Sequence, residues 1–132
     1  METTKNYTDE QILNTNPLVL AFIGDAVFTT IVRQKIVEKH NSNINALSKL
    51  TSTVVNAGNQ YKLYRKIESL LTKFEIDICH RARNANIHSK AKNYSVTEYI
   101  YATAFEALIG YLHLAGKKER LSELMSVCLE DL

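Results

Sequence analysis

Apolar residues recur along this chain at intervals of three and four, the spacing of a helix face, and no stretch alternates with the period of two expected of a half-buried strand. Helix starts are legible. Thr8, Thr72 and Ser95 each stand three residues ahead of a glutamine or glutamate (Gln11, Glu75, Glu98), the reciprocal arrangement that satisfies orphan amide donors. Asn16 precedes Pro17, the one proline, and proline at the first helical position loses no useful N–H. The pattern predicts helices near 9–14, 17–40, 43–50, 52–71, 73–83, 96–115 and 117–131. A polar loop falls over about 84–95, and Gly116 is placed to end the sixth helix in a left-handed cap. The fold class is all-α.

Composition adds bounds. The 132 residues suit a single domain over 1–132, and 45% hydrophobic content is enough for a core. A domain this small buries only about two-thirds of its unfolded surface, so a dimer interface would add useful burial. The formal net charge of +2 does not by itself point to a nucleic-acid partner. Cys79 and Cys128 form neither a disulfide framework nor a zinc spacing and read as reduced cysteines. The polar N-terminus lacks a signal-peptide pattern. The apolar runs near 17–32 and 99–115 are shorter than the ~20 residues of a membrane span. No membrane and a cytoplasmic location are expected.

Within residues 16–32 the only charged side chain is Asp25; within 99–115 it is Glu106. A helix apolar nearly all round is expected at the centre of a fold, which puts each carboxylate near or inside the core. An ionised carboxylate buried without a partner costs several kcal/mol. A divalent cation between the two would offset that cost, and oxygen ligands suit magnesium or manganese. Gly24 precedes Asp25 and Gly110 lies one turn beyond Glu106, a placement that suggests close backbone approach. Taken alone, the spacing leaves a second reading open: core acids satisfied by Arg81, Arg83 or a hydroxyl, with glycines only for packing.

Residues 79–93 carry Arg81, Arg83, Lys90 and Lys92 with three asparagines, among them Asn84, and no acid. Such side chains contact phosphates, although a solvated loop has the same composition. The basic stretch 62–66 reads as an exposed helix face with Tyr61 and Tyr64 half in the core. His40 and His113 lack partners at helical spacing and read as structural or surface residues.

At these residues the chain resembles a known family. LAFIGDAVF is similar to the signature helix of the ribonuclease III catalytic domain, TAFEALIGYLHL to its second acidic motif, and RARNAN to its Mini-III branch, which consists of the catalytic domain alone. The resemblance implies a helical homodimer that hydrolyses double-stranded RNA with magnesium, leaves 5′-phosphate ends and matures large-subunit (23S) ribosomal RNA precursor. Asp25 and Glu106 match the family's catalytic, metal-binding acids. Arg81, Arg83, Asn84, Lys90 and Lys92 are candidate RNA contacts, and no double-stranded-RNA-binding domain is expected. There are departures. Leu18 and Ala21 stand where larger members carry glutamates, and Thr103 stands where they carry an aspartate, leaving it a supporting role in orienting water or Glu106. These departures motivate an alternative, a noncatalytic RNA-binding or ribosome-associated module.

Overall fold

The computed structural model describes residues 5–85 and 95–132, and no strand occurs among them. The helices are α1 (Asp9–Leu13), α2 (Pro17–Lys39), α3 (Ile44–Val55), α4 (Ala57–Ile67), α5 (Lys73–Ala85), α6 (Val96–Leu114) and α7 (Lys118–Cys128), with a 3₁₀ turn at Glu68–Leu70. The expected caps form. Thr8 and Ser95 close capping boxes with Gln11 and Glu98. Thr72 and Glu75 exchange side-chain-to-backbone bonds of 2.9 and 3.2 Å. Asn16 caps α2 ahead of Pro17. Gly116, at φ +69°, ends α6. There the Gly116 amide donates to the His113 carbonyl and the Lys117 amide to Leu112, the paired bonds of a Schellman motif.

One boundary differs from expectation. The break after α3 falls at Asn56 rather than near 51. Thr51, Ser52 and Thr53 remain helical, and each hydroxyl donates back to a carbonyl of its own helix in place of competing for the chain's amides. Asn56 is extended, and its side chain accepts the Asn59 amide to start α4. The polar loop expected over 84–95 falls mostly outside the described residues, and α5 reaches Ala85.

The pair of long apolar segments becomes the centre of the molecule. α2 and α6 pack against each other; α4 and α5 cover other faces of α6, α3 lies on α2, and α7 on α4 and α6. Phe28 and Phe105 meet edge to face at 5.0 Å, among Leu20, Val32, Ile36, Leu108 and Leu112, all buried. From Ala102 to Leu112 every α6 residue except Glu106 is buried. The apolar run expected over 17–32 forms part of a 23-residue helix, long and apolar enough by length and composition to cross a membrane. Here that apolarity serves the core along one face. Its other face leaves Leu18, Val19 and Phe22 exposed, Phe22 by 76%.

Candidate active site

α2 and α6 cross with their backbones in contact. A Cβ built on Gly24 would lie 1.7 Å from the Glu106 carbonyl oxygen, and one on Gly110 would lie 1.9 Å from that of Leu20. Any side chain at either position would wedge the helices apart. This crossing positions the acids: Asp25 follows Gly24, and Glu106 lies one turn before Gly110, so both side chains leave the crossing on the same side.

There the two carboxyl groups lie close enough for Asp25 to act on Glu106. Glu106 is half-buried, and its pKa is pushed up to about 8, first by burial, then by the hydrogen bond and negative charge of Asp25; a hydrogen bond from Gln60 acts in the opposite direction. The expectation that both acids lie near or inside the core needs correction for one of them. Asp25 is exposed, because this side of α2 is not covered within the chain. Neither acid is satisfied by Arg81, Arg83 or another cation in the ion pairs found among the described residues.

The acids open onto a cleft of about 370 Å³ walled by two helical stripes: Leu18, Ala21, Phe22 and Asp25 from α2, and Tyr99, Thr103 and Glu106 from α6. Leu18 and Ala21, the positions of the absent glutamates, thus face the same cleft. Thr103 is buried beside Glu106, and its hydroxyl donates to the Tyr99 carbonyl at 3.0 Å. Among the described residues no cluster of three or more His, Cys, Asp or Glu forms.

The arginines expected to contact RNA point elsewhere. Arg81 donates to the Leu13 and Thr15 carbonyls at 3.0 and 3.3 Å, clamping the corner between α1 and α2. Arg83 stacks over the Tyr101 ring, 4.4 Å from its centre. Asn84 is exposed at the end of α5, while Lys90 and Lys92 lie outside the described residues. Cys79 and Cys128 are buried, and burial pushes both thiols up to about 12, so neither is a nucleophile at neutral pH.

Three residues at or beside the acids were not singled out in the sequence: Phe22, Tyr99 and Gln60. A signal for Gln60 exists. It shares α4's buried face with Leu63, Tyr64 and Ile67, a polar residue on an apolar stripe like Asp25 and Glu106 themselves.

The family model for the ribonuclease III domain matches residues 18–117, which hold both helices, both glycines and both acids. The chain belongs to the ribonuclease III family. Within it, the similarity is to Mini-ribonuclease 3 proteins. That of Thermoanaerobacter is 43% identical over 130 residues, covering 98% of this chain and 92% of the relative. That of Staphylococcus aureus is 41% identical over 123 residues, covering 92% of each. A Fusobacterium nucleatum protein solved by X-ray crystallography superposes with a TM-score of 0.83 at 32% identity, covering 91% of this chain and 96% of that one. The helical bundle is therefore a ribonuclease III fold, and the coarse activity is that of an endoribonuclease.

Proposed function

We propose that this endoribonuclease cuts double-stranded RNA using a magnesium ion, replaceable by manganese, held by Asp25 and Glu106. The observation that supports it is the convergence of two acids, 81 positions apart, at the floor of an open cleft. The donor set fits a hard cation. It is all oxygen, and the pKa of Glu106, displaced to about 8, reports negative charge with no cation beside it. With two carboxylates, the rest of the coordination shell falls to water and substrate. When bound, such an ion lowers the pKa of water and neutralises charge on a phosphate.

The chain's residues supply placement. Asp25, exposed, and Glu106, deeper, give the cleft its negative floor, and the Thr103 hydroxyl beside them is suited to orienting water or Glu106. Hydroxide attacks the phosphorus, the bond to the 3′ oxygen breaks, and that oxygen takes a proton, leaving a 5′-phosphate and a 3′-hydroxyl. Recognition rests on A-form shape, phosphates and 2′-hydroxyls, because the deep RNA major groove is closed to side chains. Asn84, at the end of α5, and Lys90 and Lys92 are the candidate contacts, with Arg81 and Arg83 bracing α5 through the α1–α2 corner and Tyr101. A homodimer supplies a site for each strand, since a duplex has a local twofold axis. The exposed Leu18, Val19 and Phe22 beside the cleft support such an interface. Large-subunit ribosomal RNA precursor in the cytoplasm is the proposed substrate and setting.

Incubation with long duplex or single-stranded RNA, with and without magnesium, tests the reading. Wild-type protein is expected to cut duplex only with magnesium. Asp25→Asn is expected to lower the rate at least about 100-fold, the scale of losing a group that stabilises transition-state charge. Wild-type binding of duplex without cleavage at any magnesium concentration would instead favour a noncatalytic module.

A further inference from the structure

Tyr99 stands on the wall of the cleft, and core packing does not account for it. Tyr61, Tyr64, Tyr101 and Tyr111 each set their rings against another aromatic ring, whereas Tyr99 enters no such pair among the described residues. It is half-buried, and its hydroxyl, without a partner among the described residues, is open to solvent. Positions 99, 103 and 106 share one face of α6, because steps of four and three residues return to the same side of a helix. Tyr99 thus lies in line with Glu106, about 10 Å from it along the helix axis.

The other lining groups leave a need for a donor. Leu18, Ala21 and Phe22 have no hydrogen to give, ionised Asp25 and Glu106 only accept, and the Thr103 hydrogen goes to the Tyr99 carbonyl. The Tyr99 phenol is left as the uncommitted donor among the described lining residues. Being neutral, it neither pairs with the acids, as a lysine would, nor repels a cation. It also accepts, and the group on a nucleic-acid strand whose single oxygen both donates and accepts is the 2′-hydroxyl. A phosphate only accepts, and it would meet the negative floor.

We propose that Tyr99 contacts the substrate, its hydroxyl hydrogen-bonding a ribose 2′-hydroxyl beside the cut and so favouring RNA over DNA. This rests on the reading of the chain as a nuclease for duplex RNA. The separation from Glu106 puts the contact on a nucleotide flanking the scissile phosphate. In an A-form duplex the 2′-hydroxyls line the wide, shallow minor groove, where a side chain reaches them without entering the closed major groove.

The test compares wild type and Tyr99→Phe, each as the full chain. The substrates are one duplex RNA and a set in which riboses around the cut, on each strand, are replaced singly by 2′-deoxyribose. Tyr99→Phe keeps the ring and removes only the oxygen, and its melting temperature reports that it folds. On all-ribose duplex it is expected to raise KM about fivefold, the scale of one neutral hydrogen bond. Its kcat and the magnesium needed for half-maximal cleavage should match wild type. For wild type, a 2′-deoxy replacement at one position beside the cut is expected to raise KM by the same factor. At that position Tyr99→Phe should add nothing further, the signature of two partners in one bond. Equal KM for the two proteins on all-ribose duplex overturns the proposal. So does a loss in Tyr99→Phe that persists at every 2′-deoxy position, which would assign the phenol to a phosphate or a base. A changed magnesium requirement with KM unchanged places its role at the acids and overturns it as well. If Tyr99→Phe does not fold, wild type decides: a KM indifferent to every 2′-deoxy replacement sinks the contact. Wild type that leaves duplex RNA intact with magnesium removes the nuclease reading, and the role of Tyr99 with it. Cleavage by wild type beside an equal KM in Tyr99→Phe removes only the role of Tyr99.

Discussion

At the scale of single residues, the molecule places two acids against each other and leaves the deeper one short of compensation. Glu106 has an ordinary value of 4.5 and a folded value of about 8, so between these the folded state holds a proton the unfolded state has released. Stability must then fall as pH rises through that window. Melting temperature measured in chelator is expected to decline from about pH 5 to pH 8. Glu106→Gln should flatten the decline, and a variant whose profile parallels wild type would remove Glu106 as its source. Under the proposed cation site the ion displaces the same proton, so added magnesium should raise the melting temperature more at pH 8 than at pH 6. Glu75 titrates in the opposite sense. Burial would raise its pKa, but hydrogen bonds from Arg120 and Thr72 outweigh that and hold it below the usual carboxylate range. Its stabilisation is present above the unfolded value of 4.5 and is lost as pH falls through the folded one.

Between elements, the contacts that decide the site are backbone contacts. Gly24→Ala would drive a methyl group into the Glu106 carbonyl, which belongs to a helix that cannot retreat without emptying the core. A loss of about 3 kcal/mol, read by urea denaturation, is expected. Cleavage by the residual folded fraction should fall as well, since moving α2 off α6 separates Asp25 from Glu106. A lesion away from the crossing provides the contrast. Arg120 holds Glu75 through two bonds of 2.8 and 2.9 Å and reaches the Leu70 carbonyl, joining α7 to α5 and the 3₁₀ turn. Glu75→Ala is expected to cost about 2 kcal/mol, below the range for breaking a fully buried pair because Arg120 is partly solvated. The proposed magnesium dependence of cleavage by the folded protein should stay unchanged. Arg81 works similarly for α1, and its donor pair to Leu13 and Thr15 explains why a basic segment contains an inward-facing arginine.

For the whole molecule, the unfinished feature is the outer face of α2. Leu18, Val19 and Phe22 are 38%, 49% and 76% exposed, and Leu18 and Phe22 also wall the cleft. Under the proposed homodimer these residues are covered by the second copy. Phe22→Glu is then expected to shift sedimentation equilibrium from dimer to monomer at micromolar concentration, with the helical content retained. A variant that sediments as wild type does would place the interface elsewhere.

Helix positions, caps and the family motifs were legible because helix periodicity, capping chemistry and Gly24–Asp25 are local: each is readable within a few residues of chain. The lone charges in two apolar helices also marked Asp25 and Glu106 ahead of any coordinates. Other features depended on contacts between segments far apart in sequence. The chain alone could not say that Asp25 would be exposed while Glu106 sank inward, that Arg81 and Arg83 would turn toward a helix corner and a tyrosine ring, or that the Gln60 side chain would be buried and bonded to the Val55 carbonyl. Those outcomes follow from which faces meet when α2 and α6 cross at their glycines. Local propensity sets the helices, but their mutual rotation is chosen by the packing of the whole core.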